Sequence, residues 1–549
     1  MGKEIVIEIK KPEIFVLLTF LFIVLFLELQ VTLNSPIVFG DEGWHTRISQ
    51  YMAENLDYPK WGNVIEGTKL FKPDYSRLPF MNLLEAGFYL VFGFHDVIIK
   101  FLIPFVGTIL LGVVVFLIGL EIKNKETGMI AAIILMSIHA LLTYSVLFYP
   151  DIFVSFYLAF FLLSFVKAKK YNKKIYWVLT GILAALAFLP DASGYVIFPS
   201  LVFMFFYLLY EKKEFLTILK NYIILIVIFI LIISGHFLRN TLLFGSPFCS
   251  LGVLRDFMGK SCGEELKYKS KYNYVISNTG VESSILKVGL VNYLLFVFGN
   301  IWFIPFASIC GLFAIILEKK SDVVYVFIIL LTFLFILYGS FYGRIEDLSR
   351  NMIGTVPFIA IIAGFYLEVL YSFLKTFSKY FIILFILLIM SVSLWSIYPK
   401  LQSLKQVKGF SPYFFDACNF IKQNTTKNAL LTTIWDHGTI YNCQRRATSL
   451  SHMSDSPDIV VSGNLTLVLE RLKANEITHI FIQKFSISKT MSLELYPLDF
   501  VKFIESHPEH FIKIYENGPS ISDCEKQNGF NQNGDLICDG SLVYQIKYD

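Results

Sequence analysis

A run of chemically active residues follows directly on the first long apolar stretch of the chain. Residues 40–45 are Gly-Asp-Glu-Gly-Trp-His, and the preceding stretch, 14–33, is apolar and long enough to cross a bilayer. Two adjacent carboxylates, Asp41 and Glu42, and the imidazole of His45 would therefore emerge at a membrane face. An ionisable group at this boundary is costly unless it is solvated, paired or used. We predict that Asp41 is the chemical centre of a site at this face.

Other ionisable residues stand at the predicted ends of apolar runs on the same side. Arginine suits phosphate, because its planar group binds oxyanions through paired hydrogen bonds, and a carboxylate suits removal of a proton from a hydroxyl acceptor. This combination predicts group transfer from a lipid phosphate to a hydroxyl. The residues are Asp41, Glu42, His45, Arg77, Asp151, Asp191, His236, Arg239, Arg344 and Arg350.

The composition indicates a polytopic membrane protein that must bring these residues together. The chain has 549 residues, of which 55% are hydrophobic, and its mean hydropathy is +0.61. Many separate runs reach the roughly 18–20 residues that cross a hydrocarbon core. The net charge of +4 gives no electrostatic support for nucleic-acid binding.

The lysines predict the topology. They cluster in every second turn between apolar runs, which places those turns and the N-terminus in the cytoplasm. We predict about eleven spans in residues 1–398, a catalytic outer loop at 34–96, and an interfacial helix at 81–93 within that loop. After the first span, at 14–33, the others are predicted at 97–120, 129–148, 152–166, 175–189, 195–210, 222–238, 301–317, 323–342, 351–371 and 380–398.

The composition changes near residue 399, where charged and polar residues return. Short β-rich pieces at 429–434 and 479–483 alternate with amphipathic helical ones at 413–423, 465–474 and 499–507, which predicts a soluble α/β domain over 399–549. An odd number of spans precedes this domain, so it is predicted to be extracytoplasmic.

Six of the seven cysteines fall in predicted outer segments. Each has a neighbour close in sequence, which favours three local disulfides in an oxidising compartment over six free thiols. The predicted pairs are Cys249 with Cys262, Cys418 with Cys443, and Cys524 with Cys538.

Four segments, taken in order, resemble the GT-C superfamily of integral-membrane glycosyltransferases. The Asp41-Glu42 pair resembles the acidic motif of their first loop, and 148–151, Phe-Tyr-Pro-Asp, resembles the aspartate of their second. The segment 236–248 resembles the Arg-Asn, then Phe-Gly-Asn-Pro stretch after the seventh span, and Arg350-Asn351 with Pro357 resembles a late-span motif. The branch they resemble is that of protein mannosyltransferases and aminoarabinose transferases, family 39.

The resemblance implies an inverting transfer from a polyprenyl- or dolichyl-phosphate sugar to a hydroxyl of a protein, glycan or lipid. Asp41 would be the catalytic base and Glu42 its support, while His45 and Arg77 would support the acceptor or the loop. The donor phosphate would be held by Arg350, Arg239 and Arg344, and Asp151 would shape the donor pocket. Carboxylates at this face are compatible with a divalent cation beside the phosphate or with none.

Several alternatives stay open at this point. Asp41-Glu42 could be the solvated start of a loop, and Asp151 could serve only as a helix cap. Residues 435–438, Trp-Asp-His-Gly, are similar to the Trp-Trp-Asp-Tyr-Gly motif of oligosaccharyltransferases, so an enzyme of that kind is one alternative. A transporter or flippase of polyprenyl-linked glycans is another. It would need charged residues near the bilayer midplane, whereas the predicted spans are nearly free of charge.

Overall fold

The computed structural model shows a helical bundle followed by a smaller α/β domain. The residues it describes are 12–35, 37, 42–57, 80–94, 96–147, 149–190, 194, 196–210, 215–247, 353–376, 379–408, 411–449, 459–460, 462–488, 496–527, 529–530 and 536–548.

Thirteen α-helices of the described residues form the bundle and its connections. They are α1 (Pro12–Thr32), α2 (Glu42–Asn55), α3 (Phe80–Phe92), α4 (Asp96–Pro104), α5 (Leu111–Ile122), α6 (Lys125–Met136), α7 (His139–Val146), α8 (Asp151–Tyr171), α9 (Lys174–Phe188), α10 (Ile197–Tyr210), α11 (Phe215–Phe244), α12 (Val356–Lys375) and α13 (Lys379–Lys408).

Six stretches of the described residues are long and apolar enough to cross a membrane, which confirms a multi-pass architecture. A seventh span results if α6 and α7, which meet at a bend of 65°, are counted as one. The predicted spans at 301–317 and 323–342 lie outside the described residues, so the total of about eleven stays a prediction. The six stretches are Ile14–Thr32, Asp96–Ile122, Asp151–Tyr171, Leu219–Leu242, Ile353–Leu374 and Leu384–Lys405.

Small residues set the closest helix contacts in the bundle. A Cβ added to Gly128 of α6 would lie 2.2 Å from the Phe116 carbonyl oxygen of α5, and one added to Gly364 of α12 would lie 2.7 Å from the Ala131 Cβ of α6. Close backbone approach of this kind is how membrane helices gain van der Waals contact without a hydrophobic driving force. These contacts place α6 at the centre of the bundle, between α5 and α12.

Two irregular stretches interrupt this regular packing. Residues Phe105–Leu110 form a π-helical segment between α4 and α5. The α6–α7 bend follows Met136 and is tied to α13, because Ser137 hydrogen-bonds to Ser393 and His139 Nε2 lies 2.7 Å from the Ser396 hydroxyl. Departures from α-helix within a membrane need side-chain partners for the backbone and are frequent at functional sites. Both stretches lead to the end of the bundle that holds Thr32 and Asp151. We call this end the cleft end.

The C-terminal domain is built around a five-stranded mixed sheet. Its strands are β1 (Leu430–Thr432), β2 (Arg446–Thr448), β3 (His479–Gln483), β6 (Phe511–Asn517) and β7 (Ser541–Ile546), with β4 (Ile487–Ser488) and β5 (Tyr496–Pro497) forming a separate pair. The order is β2-β1-β3-β7-β6, parallel from β2 to β3 and antiparallel across β7. Its helices are α14 (Pro412–Asn424), α15 (Asp436–Cys443), α16 (Leu465–Ala474), α17 (Leu498–Glu505) and α18 (Ile521–Gln527).

Both faces of this sheet are buried, which explains its continuous apolar strands. Leu430 and Ile480 pack in one core while their neighbours Leu431 and Phe481 pack in the other, as the two-residue period of a strand requires. The predicted strands at 429–434 and 479–483 and the three predicted helices are confirmed, with ends shifted by a few residues.

Two disulfides fasten this domain, as predicted. Cys418 of α14 is bonded to Cys443 at the end of α15, and Cys524 is bonded to Cys538. Cys249 and Cys262 lie outside the described residues. The last bundle helix, α13, continues across residue 398 to Lys408, so the change in composition falls within a helix.

Candidate functional site

A small cleft with a volume of about 10 Å³ lies at the cleft end of the bundle. Its walls come from the end of α1, the start of α2, α4 and the end of α7. It is lined by Thr32, Ile37, Glu42, Ile99, Lys100, Ile103, Pro104, Val146 and Leu147. An acidic residue, Glu42, and a basic residue, Lys100, therefore line one otherwise mostly apolar depression.

Glu42 is the first residue of α2, and its side chain is fully buried. An acidic residue in the first turn interacts favourably with the partial positive charge at the helix N-terminus. The interpretation of Glu42 as a solvated loop residue is therefore wrong. Asp41, immediately before it in the sequence, lies outside the described residues.

The position of α2 is fixed by α3, the helix predicted at 81–93. Asn82 Nδ2 donates to the His45 carbonyl oxygen at 2.9 Å and to the Ser49 hydroxyl at 3.1 Å. The His45 side chain is buried, and Phe80 packs edge-on against Tyr157 of α8 at 5.5 Å between ring centroids. These contacts join the loop helices to the bundle and hold Glu42 at the cleft.

Asp151 is the first residue of α8 and is fully buried. It follows Leu147, a cleft residue, by four positions, so the turn between α7 and α8 connects the cleft to this carboxylate. The same helix reaches the 3-10 turn that precedes α12, Ile353–Thr355, because the Ser155 hydroxyl donates to the Ile353 carbonyl oxygen at 2.8 Å. The structure thus brings the start of α8 close to the chain segment that follows Arg350 in the sequence.

Arg239 lies near the C-terminal end of α11 and is half-buried. Its guanidinium donates to Asn240 Oδ1 at 3.3 Å, and the Asn240 amide nitrogen lies 3.2 Å from His236 Nε2. The predicted phosphate ligand is therefore part of a local polar group on α11. The remaining predicted site residues, Arg77, Arg344 and Arg350, lie outside the described residues.

Two ionisable residues of the cleft end were missed by the sequence prediction. Lys100 lines the cleft on α4, inside the segment predicted as span two. Glu28 is fully buried within α1, where it accepts hydrogen bonds from Thr108 and Ser145. Each is a single ionisable residue in an otherwise apolar run. One such residue barely lowers the mean hydropathy of the run, so hydropathy alone does not indicate a role for it. Glu28 and Lys100 are exceptions to the expectation that the spans are nearly free of charge.

The C-terminal domain touches the loop helices beside the cleft. Tyr441 of α15 donates to Asp96 Oδ2 at 2.5 Å, and Asn442 Nδ2 donates to the carbonyl oxygen of Ile37, a cleft residue, at 3.2 Å. Burial and the charge of Asp96 raise the pKa of Tyr441, which keeps its hydroxyl protonated and donating. The Trp-Asp-His-Gly segment at 435–438 forms the start of this same helix.

Glu85 of α3 lies near this contact. Its Oε1 accepts a hydrogen bond of 2.8 Å from Tyr89, and its side chain is buried. Burial, together with the nearby charge of Asp96, raises the pKa of the Glu85 carboxyl to about 8, although hydrogen bonds from Ser49 and Tyr89 lower it. Glu85 is therefore a carboxyl group that changes charge near neutral pH at the junction of loop and domain.

No group of three or more His, Cys, Asp or Glu residues with metal-site geometry occurs in the described ranges, which leave out Asp41. Binding of a divalent cation stays a prediction.

Part of the chain matches a protein-family model. Residues 72–238 match the model for dolichyl-phosphate-mannose-protein mannosyltransferase. This segment includes Lys100 and Asp151 and ends just before Arg239. A search of curated protein sequences gave no match.

Solved structures share the fold over almost the whole chain. The oligosaccharyltransferase AglB of Archaeoglobus fulgidus, in complex with an inhibitory peptide and a dolichol-phosphate, has a TM-score of 0.65 at 13% identity, covering 97% of this chain and 89% of that one. ArnT of Cupriavidus metallidurans, bound to undecaprenyl phosphate, has a TM-score of 0.59 at 12% identity, with coverages of 97% and 98%. The mycobacterial arabinofuranosyltransferase AftD has a TM-score of 0.54 at 11% identity, with coverages of 96% and 40%.

Proposed function

We propose that this chain is a membrane glycosyltransferase of the GT-C superfamily and that it moves a sugar from a polyprenyl- or dolichyl-phosphate donor to a hydroxyl acceptor. The observation that carries the proposal is the small cleft at the end of α1, which Glu42 and Lys100 both line. The lipid tail of such a donor would lie among the apolar helices while its phosphate reached the cleft. ArnT and AglB, which share the fold, were each solved with a polyprenyl-type phosphate bound.

The reaction needs a base, an anion-binding group and an in-line geometry. A carboxylate takes the proton of the acceptor hydroxyl while the acceptor oxygen forms a bond to the anomeric carbon. The bond from that carbon to the phosphate oxygen breaks, and the lipid phosphate leaves with the electron pair. Direct displacement of this kind inverts the anomeric carbon. Developing negative charge on the phosphate is stabilised by nearby cationic side chains.

The residues divide between these tasks. Asp41 is the base in this proposal, and Glu42 supports it or positions the acceptor. Lys100 adds a compact positive charge for the phosphate, together with Arg239, Arg344 and Arg350. Asp151, behind the α7–α8 turn, shapes the donor pocket, and the two residues assigned to support of the acceptor loop are His45 and Arg77.

The orientation is also part of the proposal. The lysine-rich turns favour a cytoplasmic N-terminus, and the two disulfides of the C-terminal domain favour an oxidising compartment for that domain. Since α15 of this domain contacts Asp96 at the cleft end, the reaction would occur on the extracytoplasmic face.

A second candidate is oligosaccharyl transfer to a peptide. The contact of α15 with the loop helices favours it, because the Trp-Asp-His-Gly segment at 435–438 begins this helix. The AglB structure that shares the fold was solved with a peptide. In this version the acceptor would lie between the C-terminal domain and the cleft.

A donor panel tests both candidates. Purified protein in lipid vesicles is incubated with radiolabelled dolichyl- and polyprenyl-phosphate sugars or with lipid-linked oligosaccharides, in the presence of membrane-lipid, glycan and peptide acceptors. Transfer from a monosaccharide donor supports the first candidate, and transfer of a whole oligosaccharide to peptide supports the second. Movement of a donor across the bilayer without transfer would instead favour a transporter.

A further inference from the structure

A carboxyl group buried inside α1 connects the two irregular stretches of the bundle. Both oxygens of Glu28 accept a hydrogen bond, Oε1 from the Ser145 hydroxyl at 2.5 Å and Oε2 from the Thr108 hydroxyl. The Glu28 side chain is fully buried in the protein. Polar side chains within membrane helices are costly and are usually retained for a function.

The two hydroxyl donors lie where the backbone departs from a continuous α-helix. Thr108 belongs to the π-helical segment Phe105–Leu110, and Ser145 belongs to α7, the short helix after the 65° bend. Such backbones are less well held by their own hydrogen bonds and depend more on tertiary partners. Glu28 therefore ties together two elements that are not rigid by themselves.

Both elements continue directly into the walls of the cleft. Pro104 precedes the π-helical segment, Val146 and Leu147 follow Ser145, and all three line the cleft. Thr32, a fourth lining residue, donates to the Glu28 carbonyl oxygen at 3.3 Å, one turn along α1. The Glu28 side chain thus contacts the two elements that continue into the α4 and α7 walls, and its backbone carbonyl accepts from Thr32 in the α1 wall.

The packing around these contacts is tight. A Cβ added to Gly107, next to Thr108, would lie 3.0 Å from the Ser145 Cβ and 3.0 Å from the Ile152 side chain of α8. A small shift of α7 would therefore be transmitted to the π-helical segment and to the start of α8, where Asp151 lies. The other end of α7 is already held through Ser137 and His139.

We propose that Glu28 is a positioning residue for the reaction: by accepting the hydroxyls of Thr108 and Ser145, it fixes the spacing of the cleft walls around the donor phosphate. This inference rests on the proposed function. Glu28 itself touches no substrate. Its removal lets α7 and the π-helical segment move apart, which misaligns the reacting groups.

Variants of the three partners test this role. Glu28→Leu should lower kcat about 10- to 100-fold, since a misplacement of about 1 Å can cost roughly that much. Ser145→Ala and Thr108→Val each lose one hydrogen bond and should lower kcat about fivefold. Glu28→Gln should restore most of the rate, because its amide can bond to both hydroxyls. The KM for acceptor should change little in all four.

Ser164→Ala is the matched control. Ser164 is also buried in the bundle, donates to the Tyr176 carbonyl oxygen at 3.1 Å and accepts from Thr180 at 3.0 Å, but it lies at the α8–α9 contact. Its rate should equal that of the wild type. Hydrogen exchange provides a readout independent of turnover: amide protection in 104–111 and 139–147 should fall in Glu28→Leu and remain high in Glu28→Gln.

The outcomes separate the two proposals. A wild type that transfers from no donor rejects the proposed function and, with it, the role of Glu28 in the reaction. Wild-type transfer with unchanged kcat and unchanged exchange in Glu28→Leu, Ser145→Ala and Thr108→Val rejects the role of Glu28 alone. An equal loss of rate in Ser164→Ala would also reject it, since any buried serine would then have the same effect.

Discussion

At the scale of single residues, some ionisable groups of the cleft end could be predicted from the sequence and others could not. Glu42 and Asp151 were predictable, because Glu42 follows the first apolar run and Asp151 lies in a turn between two such runs, although the helix that Glu42 begins was not predicted. Lys100 and Glu28 were not, because only tertiary structure shows that they meet the cleft or its supports. Arg239 was predictable as a residue, but its hydrogen bond to Asn240 was not.

Loss of the Lys100 charge should weaken binding of the donor phosphate. Lys100→Gln should weaken binding of dolichyl phosphate about 10- to 100-fold, because a charged contact to phosphate contributes roughly 1.5–3 kcal/mol. Lys220→Gln is the control, since Lys220 is also a helical lysine but is exposed near the start of α11. Equilibrium binding of labelled dolichyl phosphate measures the effect. Equal affinity in both variants would remove Lys100 from the phosphate site.

The buried Glu85 carboxyl should make the stability of the folded protein depend on pH. Its pKa is raised to about 8 in the folded protein, so between about pH 4.5 and 8 the folded state holds a proton that the unfolded state has released, and stability falls as pH rises. Glu85→Gln should remove this contribution to the pH dependence of stability. The melting temperature of Glu85→Gln should therefore exceed that of the wild type by an amount that grows from pH 5 to pH 8. A difference that stays constant with pH would contradict the raised pKa.

At the scale of elements, hydropathy predicted the spans well because lipid requires long apolar helices. Predicted spans 97–120 and 152–166 appear as the apolar stretches Asp96–Ile122 and Asp151–Tyr171, whereas predicted span 175–189 appears as the shorter apolar helix Lys174–Phe188. Hydropathy did not predict the α6–α7 bend or the π-helical segment, because neither changes the apolar character of the run. The bend depends on Ser137 and His139 meeting α13, which is distant in sequence.

The close contact between α5 and α6 should not tolerate a larger side chain at Gly128. Gly128→Ala should destabilise the bundle by about 1–3 kcal/mol, because the added methyl group overpacks against the Phe116 carbonyl. Gly235→Ala of α11 is the matched control, since nothing lies within 4 Å of its added Cβ. Thermal unfolding in detergent measures both. Equal melting temperatures for the two variants would show that the α5–α6 contact is looser than described.

At the scale of the whole molecule, the bundle and the C-terminal domain meet at the site. The contact runs through α15, which is fastened to α14 by the Cys418–Cys443 disulfide. Sequence alone predicted the disulfide and the domain. It could not predict which helix of the domain touches the loop, because the Tyr441–Asp96 bond joins residues far apart in the chain.

Loss of the Tyr441 hydroxyl should loosen this contact. Tyr441→Phe should lower amide protection at the starts of α4 and α15 and raise the KM for acceptor severalfold, with unchanged binding of dolichyl phosphate. Tyr171→Phe is the control, because the Tyr171 hydroxyl also donates to a carboxylate, Glu121, but does so at the C-terminal end of α8. The same exchange pattern in both variants would argue against a specific domain contact.

The most direct test of group transfer at this cleft is the single-turnover rate from the best radiolabelled lipid-phosphate sugar, measured with release of the lipid phosphate. Asp41→Asn and Glu42→Gln should each lower this rate about 100-fold while donor binding is unchanged. Glu54→Gln, an exposed position on the same helix α2, should react at the wild-type rate. Wild-type rates in both Asp41→Asn and Glu42→Gln would contradict the account.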